Sequence, residues 1–568
     1  MYGAEILCFP IFRMIVERRR ERAVMHLQNI EDCILRPLLK PQVAYKVKEP
    51  EILEETPQSK LVDAVREYYA RTLNNLQERV IDTSMKVLAA DQSQDGNGIV
   101  LVQGPPGTGK TSTIVSLIAV LLAKREEERF KDKKILVCAP SNAAVDVLAR
   151  RVLSGVKSAA FDKTGKSVEL KDMVPKALRL GHGCKDDVVK KIALDELLNR
   201  SCRGRGSKRT LKEEEQLKNA EIWFSTCIGI GYQGYSTCRP SFMAVIIDEA
   251  SQAIELDCLL PLLPFPSESA GTGTKMCVLV GDTKQLPPFE DMRTDSRLIE
   301  KGMMGRLVEY YEHCSNNCIR LKTQYRMHPA ISDFPAQAFY SGYIENHNSV
   351  YNPTVFDKTY HFDARGRFGA LTFIDTSRLT DLAESYGVVK SMYNRCELKI
   401  VQDLVVALVR LHGSVLGKGV VILGPYSRQL EILKAESSEI SEFKDASVVN
   451  STVDSMRGDE SDILILTTVR SSEERRLGFL VDYRRLNVGL TRARYSLIII
   501  GDSETLEADS VWRSLITKCR KSRSPNTHSL FPKSTMCTRK FCENLFPESQ
   551  NSEKVCWEER KMKGVLKR

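Results

Sequence analysis

Eight residues, GPPGTGKT at 104–111, have the types and the spacing of a phosphate-binding loop. Glycines let backbone N–H groups turn toward phosphate oxygens, the lysine can reach the outer phosphates, and the threonine hydroxyl can hold Mg²⁺. An apolar strand pattern precedes the loop, and apolar residues at helical spacing follow it. A chance glycine-rich turn rarely has both flanks, so the loop predicts a nucleotide site with ATP and Mg²⁺ as cofactors. Its residues are Gly104, Pro105, Pro106, Gly107, Thr108, Gly109, Lys110 and Thr111, with Lys110 also catalytic and Thr111 also a metal ligand.

A second group of residues has the chemistry that nucleotide hydrolysis needs. Asp248 and Glu249 end an apolar run, where Asp248 would hold Mg²⁺ through water and Glu249 would deprotonate the attacking water. Gln285 follows the next apolar run and would sense the terminal phosphate. The two acids could instead cap the helix that follows them, but beside the phosphate loop they predict an ATPase.

The elements that must position these residues alternate between short apolar strands and longer helical patterns from about residue 70 to 510. Such alternation is typical of parallel sheets flanked by helices. The number of strands favours two sheets, so we predict an α/β fold with two tandem domains. The predicted strands are Ile99–Gln103, Ile135–Ala139, Ala244–Ile247, Cys277–Val280, Leu371–Ile374, Val420–Leu423, Ile463–Thr467 and Leu497–Ile500.

Changes in sequence character predict the domain boundaries. Residues 1–70 are charged and helical in pattern, resembling a stalk. The first domain spans 71–317 and contains a charged insertion with little strand character at 151–220. The second domain spans 318–510, and a basic tail, predicted to be flexible, follows at 511–568.

Composition limits the class of protein. Of 568 residues, 42% are hydrophobic and 27% are charged, and no apolar run is long enough to cross a bilayer, so no membrane partner is expected. Sixteen cysteines show no paired CxxC spacing, which favours reduced thiols in a cytosolic or nuclear compartment over a structural zinc site. A formal charge of +10 permits a polyanionic partner without requiring one.

The string GDTKQLPP at 281–288 resembles superfamily 1 helicases, and the resemblance to the Upf1-like group covers roughly residues 73 to 520. Members combine two RecA-like domains with ATP in the cleft and a single nucleic-acid strand across the top. The resemblance implies that Gln77 contacts the adenine and that Tyr325 stacks on it. It also implies phosphate-sensing, catalytic roles for Arg326 and Arg492. The remaining nucleotide contacts that it implies are Gly458 and Glu460.

The same resemblance implies which residues contact the nucleic-acid strand. Short hydroxyl and amide side chains at strand ends suit phosphate and sugar contacts that are blind to base identity. Helix capping and turn formation are the alternative roles for those of the first domain. The implied contacts are Ser141, Asn142, Thr226, Tyr426 and Thr452.

Two departures from the family pattern affect the expected activity. Arg457 stands where the family usually has glutamine, and Met456 stands where it usually has an aromatic residue. The first 70 residues are also too few for the small β-barrel that usually precedes the adenine motif. Coupling of hydrolysis to movement could therefore be altered.

Within the superfamily, three segments resemble the senataxin-like group most, namely SGVKSAAFDKTGK, ISDFPAQAFYSGY and SVWRSLI. The resemblance implies an ATP-dependent helicase that moves 5′ to 3′ on single-stranded RNA or DNA and unwinds RNA:DNA hybrids. A monomer suffices for such a motor, and the relatives imply a nuclear location. One alternative is an ATP-regulated nucleic-acid clamp with weak unwinding, and another is an ATPase unrelated to nucleic acid.

Overall fold

The structure is a computed structural model that places part of the chain well enough to describe it. The described residues are 16–21, 24, 38, 60–90, 98–155, 160–161, 167–168, 176–201, 207–232, 235, 240–263, 274–288, 302–312, 316–351, 368–379, 384–386, 391–412, 419–445, 448–456, 460–521, 527–530 and 538–545. The chain forms two compact units, Met1–Thr323 (unit 1) and Gln324–Arg568 (unit 2).

Unit 1 is built, over its described residues, around a parallel sheet with the strand order β5-β6-β2-β7-β8-β1-β9. Most of these strands are buried along their whole length, because helices cover both faces of the sheet. The strands are β1 Ile99–Gln103, β2 Lys134–Ala139, β5 Ala177–Arg179, β6 Ile222–Thr226, β7 Phe242–Ile247, β8 Cys277–Gly281 and β9 Cys318–Arg320, and a separate short pair is β3 Ala160–Phe161 with β4 Ser167–Val168.

Two apolar cores lie on the two faces of this sheet. The long apolar helix that follows the phosphate loop is buried over most of its length in the first core. The helices of unit 1 are α1 Lys60–Ala70, α2 Asn75–Ala89, α3 Lys110–Lys124, α4 Asn142–Gly155, α5 Leu194–Ser201, α6 Ser207–Asn219, α7 Glu255–Leu259 and α8 Gly302–Tyr311.

Unit 2 contains a second parallel sheet in its described part, with the order β16-β15-β17-β18-β12-β19. Its strands are β12 Leu371–Asp375, β15 Val420–Gly424, β16 Val449–Thr452, β17 Ser461–Thr467, β18 Ala493–Gly501 and β19 Thr527–Leu530, and short pairs are formed by β10 Thr323–Gln324 with β11 Glu345–Asn346 and by β13 Glu384–Tyr386 with β14 Met392–Asn394. Its helices are α9 Pro329–Tyr340, α10 Arg395–His412, α11 Ser427–Ser437, α12 Ser441–Asp445, α13 Tyr483–Leu490, α14 Ser503–Leu506, α15 Ser510–Lys521 and α16 Thr538–Leu545.

The predicted fold class is confirmed, since both sheets are parallel and flanked by helices, and each of the eight predicted strands is present. The prediction that residues 151–220 form an insertion with little strand character is wrong in one respect. Residues 177–179 form β5, which pairs in parallel with β6 of the main sheet. Strand β5 has only three residues, so it was too short for an apolar run to reveal it. None of the described helices combines the length and the apolar content that crossing a bilayer requires.

Two predicted boundaries are also corrected. Strand β9 pairs with β1 and therefore belongs to unit 1, which extends past the predicted limit at residue 317. The tail from residue 511 is not a flexible appendage in its described parts. Trp512 in α15 is buried, β19 pairs with β12, and Phe541 of α16 lies in the core of unit 2. Basic residues on one face of α15 masked its apolar face in the sequence.

Candidate functional site

The phosphate loop lies between β1 and α3, at the edge of the sheet where the parallel strands end, here called the carboxyl edge. Gly107 and Gly109 have φ of 74° and 80°, a backbone region that favours glycine. A Cβ atom at Gly104 would clash with the Lys110 side chain, whose Nζ donates a hydrogen bond to the Gly104 carbonyl at 2.8 Å. The loop thus has the glycine-dependent shape and the lysine position that a phosphate cradle requires.

Gln77 connects helix α2 to this loop. Its Nε2 donates to the Thr108 carbonyl at 3.0 Å, and its Oε1 accepts from the Asn74 N–H at 2.9 Å in a capping box. Gln77 is 3% exposed, so it is a buried residue and not a polar residue on the outer surface of the helix. A side chain at Gly109 would clash with it. The structure therefore places Gln77 directly on the phosphate loop.

Asp248 and Glu249 follow β7, two strands along the same edge from β1. Burial, with a smaller contribution from the neighbouring Glu249 charge, raises the pKa of Asp248 to about 7, while Lys110 acts in the opposite direction. The Lys110 cation lowers the pKa of this carboxyl because it favours the charged carboxylate. Glu249 has a φ of 51°, and its carboxylate accepts from Gln252 Nε2 at 3.0 Å. A buried acid opposed by a cation is typical of a functional site.

Gln285 follows β8 and is held by a buried aspartate that the sequence reasoning did not single out. Gln285 Nε2 donates to Asp282 Oδ2 at 2.9 Å, and Gln103 Nε2 donates to Asp282 Oδ1 at 3.0 Å. Asp282 is fully buried. The sequence contained one indication of this role, because Asp282 lies three residues before Gln285 in the string GDTKQ. The carboxyl edges of β7, β8 and β1 thus bring together the phosphate loop with Asp248, Glu249 and Gln285.

The nucleic-acid contacts predicted for unit 1 lie on the other half of the same edge. Ser141 and Asn142 follow β2, and Thr226 ends the neighbouring strand β6, where it pairs with Ala139. Ser141 Oγ accepts from the Ala144 N–H at 3.3 Å, and Thr226 Oγ1 accepts from the Gly229 N–H at 2.9 Å. The two hydroxyls therefore make the local bonds of a helix cap and a turn, which leaves their own O–H groups as donors.

Asn142 differs from the two hydroxyl residues because a distant residue holds it. Its Oδ1 accepts from Arg179 Nη2 at 2.8 Å, and Arg179 is fully buried at the end of β5. Sequence reasoning missed Arg179 since it lies within the predicted insertion. A single arginine inside the apolar string ALRL was the only signal.

Three residues of unit 2 that were predicted to act on the nucleotide lie together. They lie at the edge of its sheet where the parallel strands begin, here called the amino edge. Arg326 Nε donates to Glu460 Oε2 at 2.9 Å, and its Nη1 donates to the Thr491 carbonyl at 3.1 Å. Arg492 directly precedes β18, is 5% exposed, and its carbonyl accepts from the Ser461 N–H at 3.0 Å. Tyr325 packs against His347 with ring centroids 4.6 Å apart. Arg326, Arg492 and Glu460 thus share the amino edge of this sheet.

The nucleic-acid contacts predicted for unit 2 lie at its carboxyl edge instead. Thr452 ends β16, and its Oγ1 accepts from the Ser455 N–H at 3.2 Å. Tyr426 follows β15 but is only 8% exposed, and it packs against the exposed ring of Phe479 at 5.8 Å. Tyr426 therefore offers little ring surface to a base.

Two residues of the sequence analysis lie outside the described residues, namely Gly458, an implied nucleotide contact, and Arg457, which stands where the family usually has glutamine. Their neighbour Met456 is buried, 5% exposed, so it fills core space at the position where the family usually has an aromatic residue.

A buried carboxyl group that the sequence did not reveal lies near the carboxyl edge of unit 2. Both carboxylate oxygens of Glu397 accept from the Val469 N–H, at 3.0 and 2.9 Å, and the Thr467 hydroxyl also donates to them. Burial raises the pKa of Glu397 to about 7, although these hydrogen bonds act to lower it. Val469 has a φ of 71°, which is strained for a β-branched residue. Glu397 thus fixes the loop that follows β17.

Comparison with known proteins agrees with this arrangement. Two family models, each described as an AAA domain, match residues 72–216 with 202–290, and 299–504. All predicted site residues lie within these ranges. The ATP-dependent helicase NAM7 of Saccharomyces cerevisiae is 32% identical over 449 residues, covering 74% of this chain and 42% of that protein.

Two further relatives are similar over comparable lengths. Helicase sen1 of Schizosaccharomyces pombe is 30% identical over 514 residues, covering 74% of this chain and 29% of that protein. The probable helicase MAGATAMA 3 of Arabidopsis thaliana is 27% identical over 575 residues, covering 86% of this chain and 65% of that protein. The chain thus spans less than half the length of NAM7 and of sen1.

Proposed function

Because this chain belongs to the superfamily 1, Upf1-like helicases, a group that includes relatives of senataxin, we propose that it is an ATP-dependent motor on single-stranded RNA or DNA. We further propose that it moves 5′ to 3′ and separates RNA:DNA hybrids. One observation supports the motor function above all others. The carboxyl edge of unit 1 carries the predicted nucleotide residues after β7, β8 and β1 and the predicted nucleic-acid residues at the ends of the neighbouring strands β6 and β2.

A short backbone path joins the two halves of this edge. The Asp248 N–H donates to the Cys138 carbonyl of β2 at 2.9 Å, and Ser141 lies three residues further along. The Cys227 N–H, next to Thr226, donates to the Ala139 carbonyl at 3.1 Å. A shift of the metal-binding aspartate would therefore move the loop that contacts nucleic acid, which supports coupling between hydrolysis and grip.

The residues of unit 1 fit ATP with Mg²⁺, because the loop has the glycine conformations, the lysine and the paired acids that this ligand needs. Lys110 would bind the outer phosphates, and Thr111 and Asp248 would hold the metal. When bound, Mg²⁺·ATP supplies the phosphoryl group that is transferred and neutralises part of its charge.

The protein's own side chains would carry out the remaining steps. Glu249 would orient the attacking water and accept its proton, and Gln285, fixed by Asp282, would sense the terminal phosphate. The resemblance assigns Arg326 and Arg492 the stabilisation of charge on the phosphoryl group. In the structure Arg326 is paired with Glu460, so we propose that it must leave this carboxylate in order to act.

Action as a monomer and a nuclear location complete the proposal. The monomer is supported by the presence of both RecA-like units in one chain, and the location by the likeness to the senataxin-like group alone.

The experiment is steady-state ATP hydrolysis with no polymer, with single-stranded RNA and with single-stranded DNA. Unwinding of RNA:DNA hybrids that carry a 5′ or a 3′ overhang follows. We expect hydrolysis to be stimulated by either polymer and unwinding to require the 5′ overhang. Lys110→Ala is the control that removes nucleotide binding and both activities.

Each unexpected result has a defined meaning. Hydrolysis that is indifferent to both polymers would refute the motor. Stimulated hydrolysis without strand separation would support the ATP-regulated clamp. Unwinding that requires a 3′ overhang would reverse the proposed direction.

A further inference from the structure

Arg179 makes an unusual set of contacts for a residue outside the helicase motifs. It is fully buried, and its Nε donates to Asp146 Oδ1 at 3.1 Å. Its Nη2 donates to Asn142 Oδ1 at 2.8 Å. A buried arginine is costly unless it is paired and hydrogen-bonded, and here Asp146 of helix α4 neutralises it. The guanidinium therefore joins β5 to the start of α4.

This contact determines which end of the Asn142 amide faces outward. A guanidinium has only N–H donors, so it must face the amide oxygen. The Asn142 Nδ2 group then points away from Arg179, and Asn142 itself is exposed. Arg179 thus makes Asn142 a hydrogen-bond donor toward solvent, which suits the acceptor oxygens of a phosphate or sugar.

The same guanidinium shapes the loop beside Asn142. Arg179 Nη1 donates to the carbonyls of Leu180 and Gly181, both at 2.8 Å, and lies 3.4 Å from that of His182. In a trans peptide the N–H points opposite to the carbonyl, so the next N–H groups point away from the guanidinium.

Two nearby acids are held by other groups of unit 1. Asp146 is paired with Arg179, and its second oxygen accepts from the Lys185 N–H at 3.3 Å. Asp195 contacts His182 Nδ1 at 2.5 Å. Gly183 lies beside the amide, since a Cβ atom there would be 3.5 Å from Asn142 Nδ2.

We propose that Arg179 is a positioning residue for nucleic-acid binding, which holds Asn142 with its Nδ2 donor toward a backbone oxygen of the bound strand. The proposal rests on the proposed function, since it needs a nucleic-acid strand at the carboxyl edge of unit 1. Arg179 does not touch the strand, because it is buried, and it acts through Asn142 and the adjacent loop.

The test is a double-mutant cycle with Arg179→Lys and Asn142→Ala in the whole chain. Lysine keeps the charge beside Asp146 but lacks the fork that reaches Asn142. The measurement is the concentration of single-stranded oligo(U) that gives half of the maximal stimulation of ATP hydrolysis. We expect Arg179→Lys to raise it about three- to tenfold, the size of one lost hydrogen bond, with a much smaller change in kcat.

The cycle separates positioning from a general structural role. If Arg179 acts through Asn142, Arg179→Lys will have little further effect once Asn142 is alanine. Asn219→Ala is the matched control. Asn219 is exposed at the end of α6, just before β6 begins, and therefore lies at the opposite edge of the sheet.

A second variant covers the case in which Arg179→Lys does not fold. Asn142→Asp keeps an oxygen for Arg179 but removes the outward donor, so we expect at least a tenfold rise in the half-saturating concentration of oligo(U). Wild-type affinity in Asn142→Asp would overturn the proposal, as would additive effects in the cycle. Wild-type protein that oligo(U) and oligo(dT) both fail to stimulate would instead refute the proposed function, and the positioning role with it.

Discussion

The two units use the edges of their sheets differently. In unit 1 the predicted nucleotide and nucleic-acid residues share the carboxyl edge, on neighbouring strands. In unit 2 Arg326, Arg492 and Glu460 lie at the amino edge, whereas Thr452 and Tyr426 lie at the carboxyl edge. In unit 1 only a few backbone atoms separate the predicted nucleotide site from the predicted nucleic-acid site. In unit 2 the length of the sheet separates the two predicted sites.

The distance in unit 2 follows from strand geometry. Strand β17 has seven residues, which span about 20 Å at roughly 3.3 Å per residue. We infer that changes at the amino edge of unit 2 affect catalysis without altering nucleic-acid affinity in the absence of nucleotide.

The largest expected effect is that of Arg492→Ala at the amino edge of unit 2. Loss of an arginine that stabilises the transferring phosphoryl group lowers kcat by about 10³- to 10⁵-fold. Affinity for a fluorescent oligo(U) without nucleotide, measured by anisotropy, should stay within about twofold of wild type. A large loss of that affinity would show that the two edges of unit 2 are not independent. Arg492→Lys controls for charge, and a thermal melt of each variant controls for folding.

Glu249→Gln at the carboxyl edge of unit 1 has the next largest effect. Removing the general base should lower kcat by about 10²- to 10⁴-fold while ATP still binds, because glutamine keeps the size and the polarity of the side chain. Turnover by rapid quench and binding of a fluorescent ATP analogue are the measurements. Normal turnover would contradict the assignment of Glu249 as the base. Gln252→Ala, which removes the hydrogen-bond partner of Glu249, is the matched control and should lower kcat far less.

Each carboxyl edge contains one buried acid with a raised pKa, Asp248 in unit 1 and Glu397 in unit 2. Glu397 has a folded-state pKa of about 7 against an ordinary value of 4.5, so between these values only the folded state keeps its proton. Its contribution to stability is therefore greatest at low pH and falls as pH rises from about 4.5 to 7, by up to about 3 kcal/mol. Unfolding free energies of wild type and Glu397→Gln from pH 5 to 8 test this.

The variant isolates Glu397 from the other carboxyl groups of the chain. Wild type should lose stability relative to Glu397→Gln as the pH rises, and the difference should level off above pH about 7.5. Parallel curves for the two proteins would mean that Glu397 is ionised in the folded state throughout the range.

The smallest expected effect is that of Thr452→Val at the carboxyl edge of unit 2. Valine keeps the shape but removes the hydroxyl, so one neutral contact to nucleic acid is lost. The half-saturating concentration of oligo(U) should rise about two- to tenfold, and kcat should change less. Ser438→Ala, an exposed hydroxyl in the same unit, is the matched control. An effect on kcat alone would place Thr452 outside the nucleic-acid contact.

Sequence patterns predicted most of the strands that are long and apolar, although not β6, and they predicted the motif residues that follow these strands. Strands β1, β7 and β8 are uninterrupted runs of buried residues, so their ends locate the phosphate loop, Asp248 and Gln285. Short or polar strands such as β5, β16 and β19 were missed, because their burial depends on neighbours that are distant in sequence. The prediction of a flexible tail was wrong for the same reason, because only the packing of Trp512 identifies the apolar face of α15.

Sequence alone predicted the chemistry that is proposed for this protein. A loop of glycines with one lysine, two acids after an apolar run, and a second set of arginines and hydroxyls are local patterns, and local backbone preferences suffice to form them. Tertiary structure alone decided which of these residues share an edge, that Tyr426 is covered, and that Glu460 holds Arg326. It also revealed Arg179, Asp282 and Glu397, which are buried polar residues. Most of their partners come from other strands and helices, so the local signals in the sequence were too weak to assign a role to them.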